Sequence, residues 1–122
     1  MRIAFIFLLL AGTSSLAESP SPTTSDYTVC AVYHRMMVGS FQRSGRDWQA
    51  MAEREKMDSL IKKAKHLARD EYGDELAEEL FLDEWRAVLA RMNDQINRNY
   101  KNISRLKYRY KNRCTALHEN PD

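Results

Sequence analysis

Two cysteines, Cys30 and Cys114, bracket almost all of the chain that has the composition to fold, and they stand behind what reads as an export signal. Arg2 supplies a short positive start, and residues 3–11 (IAFIFLLLA) form an apolar run too short to span a bilayer. Ser15-Leu16-Ala17 sets small residues at the two positions a signal peptidase reads, so cleavage is expected after Ala17. No cysteine follows the apolar run where a lipid anchor would need one, and no second apolar stretch occurs, so the mature chain is expected to be soluble. Outside the cytosol, two cysteines are most simply one disulfide; the alternatives are an intermolecular bridge or two free thiols. A loop of this span would contribute about 4–5 kcal/mol by restricting the unfolded chain. There is no CxxC, so the bridge reads as structural rather than redox-active.

The rest of the chain divides simply. Residues 18–25 (ESPSPTTS) read as a disordered lead-in, residues 26–118 as one helical domain and residues 119–122 as a tail. The domain contains no proline and only Gly39, Gly45 and Gly73, and it is rich in Ala, Leu, Lys, Arg and Glu, which makes it all-α. Without Arg2 the chain carries 18 basic and 17 acidic residues, so the overall balance points to no class of partner.

One apolar stripe runs in phase through Phe81, Leu82, Trp85, Val88, Leu89, Met92, Ile96, Tyr100, Ile103, Leu106, Tyr110, Cys114 and Leu117. At about 100° per residue these fall within an arc of roughly 120°, which predicts one long amphipathic helix beginning near Asp74 as N-cap. The weak point is Asn93, Asn97, Asn99 and Asn102, which lower helix propensity and admit a bend. Upstream, Tyr27, Cys30, Ala31, Tyr33, His34, Met37, Val38 and Phe41 share the face of a first helix capped by Asp26. Met57, Leu60, Ile61, Ala64, Leu67, Ala68 and Tyr72 share the inner face of a second. Trp48, Met51 and Ala52 lie on the opposite side, which predicts a break between Gln42 and Met57, with Asp47 a further cap.

A disulfide needs Cα atoms within about 7 Å, which constrains the topology. Three helices running up, down and up would leave the cysteines tens of ångströms apart. A helical hairpin turning at Gly73 joins them, since each lies roughly 60 Å along a helix from that turn. The first and second helices would then lie end to end on one long C-terminal helix, an elongated hairpin with a thin core and a tendency to pair with a second copy. The alternative is a four-helix up-and-down bundle with the last helix broken at the asparagines.

Charge sorts along such a rod. Acidic residues from Asp70 to Glu84 crowd the Gly73 turn, and Arg98, Lys101, Arg105, Lys107, Arg109, Lys111 and Arg113 crowd the other end, with Arg35, Arg43 and Arg46. Helix dipoles and pairing of Lys62, Lys63 and Lys65 with the acidic block account for much of this as a solvated face. The sharper reading is a basic ridge of Arg98, Lys101, Arg105 and Arg109 with Tyr108 beside it, opposite the apolar stripe. Such a ridge suits an anionic partner: envelope phosphates, an acidic polysaccharide or an acidic protein patch, with nucleic acid not expected outside the cytosol.

Other constellations are thinner. His34 with Met37 one turn on suggests haem or copper, but a lone histidine on an apolar face is more often a hydrogen-bonded core residue, and no CxxCH occurs. His66 and Asp70 make half a metal site, and Asn102-Ile103-Ser104 is a glycosylation sequon with meaning only in a eukaryotic secretory pathway. No Ser/His/Asp set, HExxH or phosphate loop is present, so no catalytic residue, metal or cofactor is assigned.

Cys30-Ala31-Val32-Tyr33 and the stretch Ile103-Ser104-Arg105-Leu106-Lys107-Tyr108 leading to Cys114 resemble a loose type of small exported helical protein of Gram-negative bacteria. That type has an early Cys-Ala-x-Tyr and a late Leu-x-x-(Arg/Lys)-Tyr before its second cysteine; here Tyr110 takes that register and Tyr108 nearly duplicates it. The resemblance implies a periplasmic address and a structural disulfide, and carries no catalytic residue across. The expectation is a non-enzymatic binding protein of the envelope, such as an adaptor or an immunity-type inhibitor. A ligand- or metal-carrying bundle and a stress chaperone are the other classes that fit.

Overall fold

A computed structural model describes residues 21–119 of the chain. The export signal expected at residues 1–17, residues 18–20 of the lead-in and residues 120–122 of the tail lie outside the described residues. The four α-helices are α1 (Thr24–Arg43), α2 (Asp47–Tyr72), α3 (Asp74–Gln95) and α4 (Ser104–Glu119), with a 3-10 turn at Tyr100–Asn102 between the last two. Among the described residues there is no strand, and no helix is long and apolar enough to cross a membrane.

Helix α1 starts two residues before the expected boundary because Thr23, not Asp26, is its cap. Thr23 Oγ1 accepts from the Asp26 amide at 3.1 Å, and Asp26 Oδ2 accepts from the Thr23 amide at 2.9 Å, a reciprocal capping box that satisfies two otherwise orphaned donors. The break expected between Gln42 and Met57 is the three-residue turn Ser44–Arg46, after which α2 runs uninterrupted to Tyr72. Asp47 is the first residue of that helix rather than its cap, and Trp48, Met51 and Ala52 point to solvent. Gly73 alone joins α2 to α3 with φ of +84°, a conformation that a Cβ would strain, and it rather than Asp74 occupies the cap position of α3.

The bundle is all-α and braced by one disulfide, as expected, but its layout is the four-helix alternative. The chain reverses at each connection. Helices α1 and α2 lie side by side instead of end to end, and the long C-terminal helix breaks in two. The break falls in the asparagine cluster. Ile96 is the C-cap of α3, Asn97 and Arg98 take φ of +53° and +54°, and the Asn99 side chain caps the 3-10 turn. Asn102 Nδ2 donates to the Ile96 carbonyl at 2.9 Å, an acceptor at the helix end that also takes the Asn99 amide at 3.1 Å. Asparagine tolerates the left-handed region better than most residues, which explains why the reversal sits there.

Helix α1 is the central rod. From Tyr27 to Gly39 every residue but Arg35 is buried, as a helix covered on all sides requires. Helices α2, α3 and α4 surround it, and α2 and α3 also pack on one another. The core joins Val32, Tyr33, Met36 and Met37 of α1 to Leu60 and Ala64 of α2, Phe81, Val88 and Met92 of α3, and Leu106 and Tyr110 of α4. Met36, Met37 and Met92 are therefore packing residues.

Cys30 and Cys114 are bonded, with Cα atoms 5.3 Å apart and both side chains fully buried between α1 and α4. Replacing both by Ala should lower stability by about 3–5 kcal/mol, read as a shift of the urea midpoint between oxidised wild type and variant. Because neither sulfur is exposed, reductant should open the bridge only at the rate of unfolding; fast reduction of the native protein would contradict this burial.

At the opposite end Tyr100 lies on Gly39. A Cβ built on Gly39 would collide with the Tyr100 hydroxyl and stand only 2.8 Å from ring carbon Cζ. Gly39→Ala should therefore push the Tyr100 ring aside, at a net cost of up to about 1 kcal/mol once the better helix propensity of alanine is set against the clash. Adding Tyr100→Leu should return part of that loss; denaturant unfolding of both variants measures it.

Candidate functional site

The chain reversal after Gln95 creates a site that no single helix could present. Helix α4 begins at Ser104 and runs back beside the end of α3, so that Gln95 faces Ser104, Arg105, Tyr108 and Arg109 across a cleft of about 760 Å³. Three of the five residues expected to hold an anionic partner, Arg105, Tyr108 and Arg109, line this cleft together. They recur at i, i+3 and i+4, one face of α4, while Leu106, Tyr110 and Cys114 turn inward from the other.

Two anchors fix the cleft. Tyr110 donates its hydroxyl proton to Gln95 Oε1 at 3.1 Å, and Arg105 Nη1 approaches the Gln95 carbonyl at 3.4 Å. The second contact is long for a guanidinium bond and leaves the other donors of Arg105 facing solvent. Neither Arg105 nor Arg109 forms an ion pair among the described residues, and the Tyr108 ring is 96 % exposed. The walls thus combine two uncompensated guanidinium groups, a hydroxyl at Ser104 and a free aromatic face. That is the donor set for a phosphate or carboxylate with an organic portion to stack.

The other two expected residues are not brought into the cleft. Arg98 sits in the left-handed turn and reaches back to Asp94 at 3.8 Å, with both side chains well exposed. Lys101 is exposed on the 3-10 turn, where its amide donates to Asn99 Oδ1. Both flank the cleft rather than line it. Nothing in the sequence marks Gln95 and Ser104 as site residues, because only the reversal makes residues nine apart face one another.

His34 is engaged elsewhere. Its Nδ1 lies against Glu53 Oε2, linking α1 to α2 at a site where both side chains are largely shielded from water. Its Nε2 is buried without a hydrogen-bond partner among the described residues, and the ring packs 5.2 Å from that of Tyr33. Burial, with the negative charge of Glu53, pushes the Tyr33 hydroxyl up to about 12. His66 pairs with Asp70 on an exposed face, and Lys65 bonds across the turn to Glu78 at 3.0 Å. Among the described residues no three His, Cys, Asp or Glu side chains converge as a metal site would require.

Two carboxylates are tuned by their contacts. The backbone bond from Thr23 holds Asp26 below its ordinary range against partial burial, helped by the Thr23 hydroxyl and by Arg113 at 3.1 Å. For Glu53, burial alone would push the carboxyl up, but the hydrogen bond and charge of His34, with Lys56, outweigh it and leave it lowered.

Compared with protein-family models, curated proteins and solved structures, the chain matches none.

The Glu53 carboxylate is stabilised in the folded chain relative to the unfolded one. Its contribution is therefore complete above its ordinary value of 4.5 and is lost as pH falls through the lower folded value. Glu53→Gln should cost about 1–3 kcal/mol at neutral pH, and the gap from wild type should narrow as the medium is acidified. Urea unfolding from neutrality to strongly acidic pH reads this directly, and a gap that stays constant would remove the assignment.

Proposed function

We propose that this chain is an exported, non-enzymatic binding protein of the bacterial envelope, built to present a cationic cleft to an anionic partner. The observation that carries the reading is the convergence of Arg105, Tyr108 and Arg109 with Gln95 and Ser104 around one concavity. A merely solvated basic helix would scatter its charges; here two unpaired guanidinium groups and an exposed tyrosine share a walled space. The export part rests on the residue pattern before residue 18 and agrees with the buried disulfide, which is at home in an oxidising compartment.

The arrangement also suits an adaptor or inhibitor. A rigid rod clamped by a covalent bond presents its site already ordered, so little of the binding free energy is lost to fixing the fold. The carrier reading, which would use His34, gains less support, because Nδ1 of that ring already bonds Glu53 between two helices.

Titration with inorganic phosphate and a short polyphosphate, monitored by amide chemical shifts, should move Gln95, Ser104, Arg105, Tyr108 and Arg109 together. Arg105→Glu plus Arg109→Glu should weaken polyphosphate binding by at least about tenfold at low salt while the helical circular-dichroism signal stays unchanged. Equal binding by wild type and variant would reduce the cleft to a solvated surface.

A further inference from the structure

The cleft is one part of a larger charged end. Arg43 lies over the Tyr100 ring at 4.8 Å, Lys107 over the Phe41 ring at 6.0 Å, and Tyr100 covers Gly39. The end of α1, the turn leading into α2, the α3–α4 connection and the start of α4 therefore meet at one end of the rod. In residues 43–54 and 91–109, which build this end, nine side chains are Lys or Arg and three are Asp or Glu. Of the three, Glu53 is engaged by His34 and Asp94 by Arg98, leaving a strong positive excess. The acidic residues gather instead at the Gly73 end, so the rod is an electric dipole along its length.

The same end carries apolar side chains that the core does not use. Trp48, in the first turn of α2, is 80 % exposed, and Met51, one turn further, is 58 % exposed. Tyr108 stands out from the start of α4. Lone leucines on a surface need no explanation, but an indole left in water two residues after Arg46, at the arginine-rich end of the rod, is the combination that water–lipid interfaces select. The ring sits at headgroup depth while guanidinium groups meet the phosphates.

We infer that this end is a peripheral docking face for an anionic lipid surface, with Trp48 as its interfacial anchor and the Arg105–Arg109 cleft receiving a headgroup phosphate. The inference rests on the binding role proposed for the cleft and names the partner of that same site. Three features favour a lipid sheet over an acidic protein. The cations come from four separate segments and match a plane of phosphates better than one anionic strip. The aromatic and thioether groups are isolated protrusions rather than the lining of an apolar pocket. The dipole of the rod would also turn its basic end toward any extended anionic plane before contact.

The test uses the oxidised protein with vesicles of phosphatidylglycerol and phosphatidylethanolamine, against phosphatidylcholine vesicles, at low and high salt. Cosedimentation should occur only with the anionic vesicles and should fall steeply as salt rises. Tryptophan emission should shift to shorter wavelength on binding, and Trp48→Phe should abolish that shift although Trp85 remains. Trp48→Ala should weaken partitioning severalfold with no change in helix content, and Arg105→Gln plus Arg109→Gln should weaken it by roughly twenty-fivefold, about fivefold per charge. If polyphosphate binds the cleft but anionic vesicles do not, the lipid face is wrong and the cleft reading stands. If neither binds, both fail. Vesicle binding that leaves Trp48 emission unmoved, or equal retention by soluble polyglutamate, would also overturn the lipid assignment.

Discussion

Helix α4 is held to the bundle by a narrow seam, and the covalent bond at its far end makes that seam sufficient. Of its residues Ser104 to His118 only Leu106, Tyr110 and Cys114 are buried, with Ile103 just before it and Leu117 near its end partly covered. Three buried side chains on so charged a helix offer little apolar area to offset the entropy of ordering it. Cys114 turns one of the three into a bond to the most enclosed helix of the fold. The stabilisation then comes from the unfolded chain, whose ends are tied together, rather than from packing. That leaves the outer face of α4 free to be almost wholly cationic and aromatic.

A related constraint explains the centre. A bundle of this size cannot surround a core with four equally amphipathic helices, so one helix gives up its polar face. Helix α1 does this, and its one remaining charged position that reaches water within the buried stretch is Arg35. A helix buried on every side tolerates few polar groups; of the two present, Thr28 is satisfied and His34 is engaged through Nδ1 alone. The Thr28 hydroxyl donates to the Thr24 carbonyl at 2.9 Å, and His34 meets Glu53. The pair adds a directional contact to an interface of otherwise non-directional apolar packing, and so helps fix how α1 and α2 align.

Much of the core was legible in the sequence, whereas the layout was not, because the two depend on different information. Of the apolar stripe from Phe81 to Leu117, every residue but Leu82 lies in or against the core. Periodicity reports which side chains turn inward, but it carries no information on the direction of the chain. Helices α3 and α4 both face α1, so the phase survives a reversal between them, and a continuous stripe mimics a continuous helix. The local signal for the reversal was present in Asn97, Asn99 and Asn102, which supply left-handed geometry and cap the exposed ends. The disulfide constraint was equally satisfied by a hairpin and by a four-helix bundle, because both return residue 114 to residue 30. What separates them is lateral packing of α1 on α2. The apolar character of Trp48 and Met51, out of phase with the rest of their helix, mimics a long break but belongs to the outer face of a continuous helix.

The site depends on that reversal more than on any single residue. In an unbroken helix Gln95 and Arg105 would stand about 15 Å apart along the axis, and the basic residues would form an open ridge with no wall. Turning the chain at Asn97 brings Arg105 to the carbonyl of Gln95 and folds Tyr108 and Arg109 over the end of α3. The guanidinium group of Arg105 has the Gln95 carbonyl as its partner at 3.4 Å, and an anion bound as proposed would compete with it. A contact of that length is weak, whereas a charge-assisted bond to phosphate or carboxylate is about twice as strong as a neutral one, so in the proposed role an anion would displace the carbonyl. The same carbonyl contact, weak as it is, gives the Arg105 side chain a preferred orientation beside the end of α3.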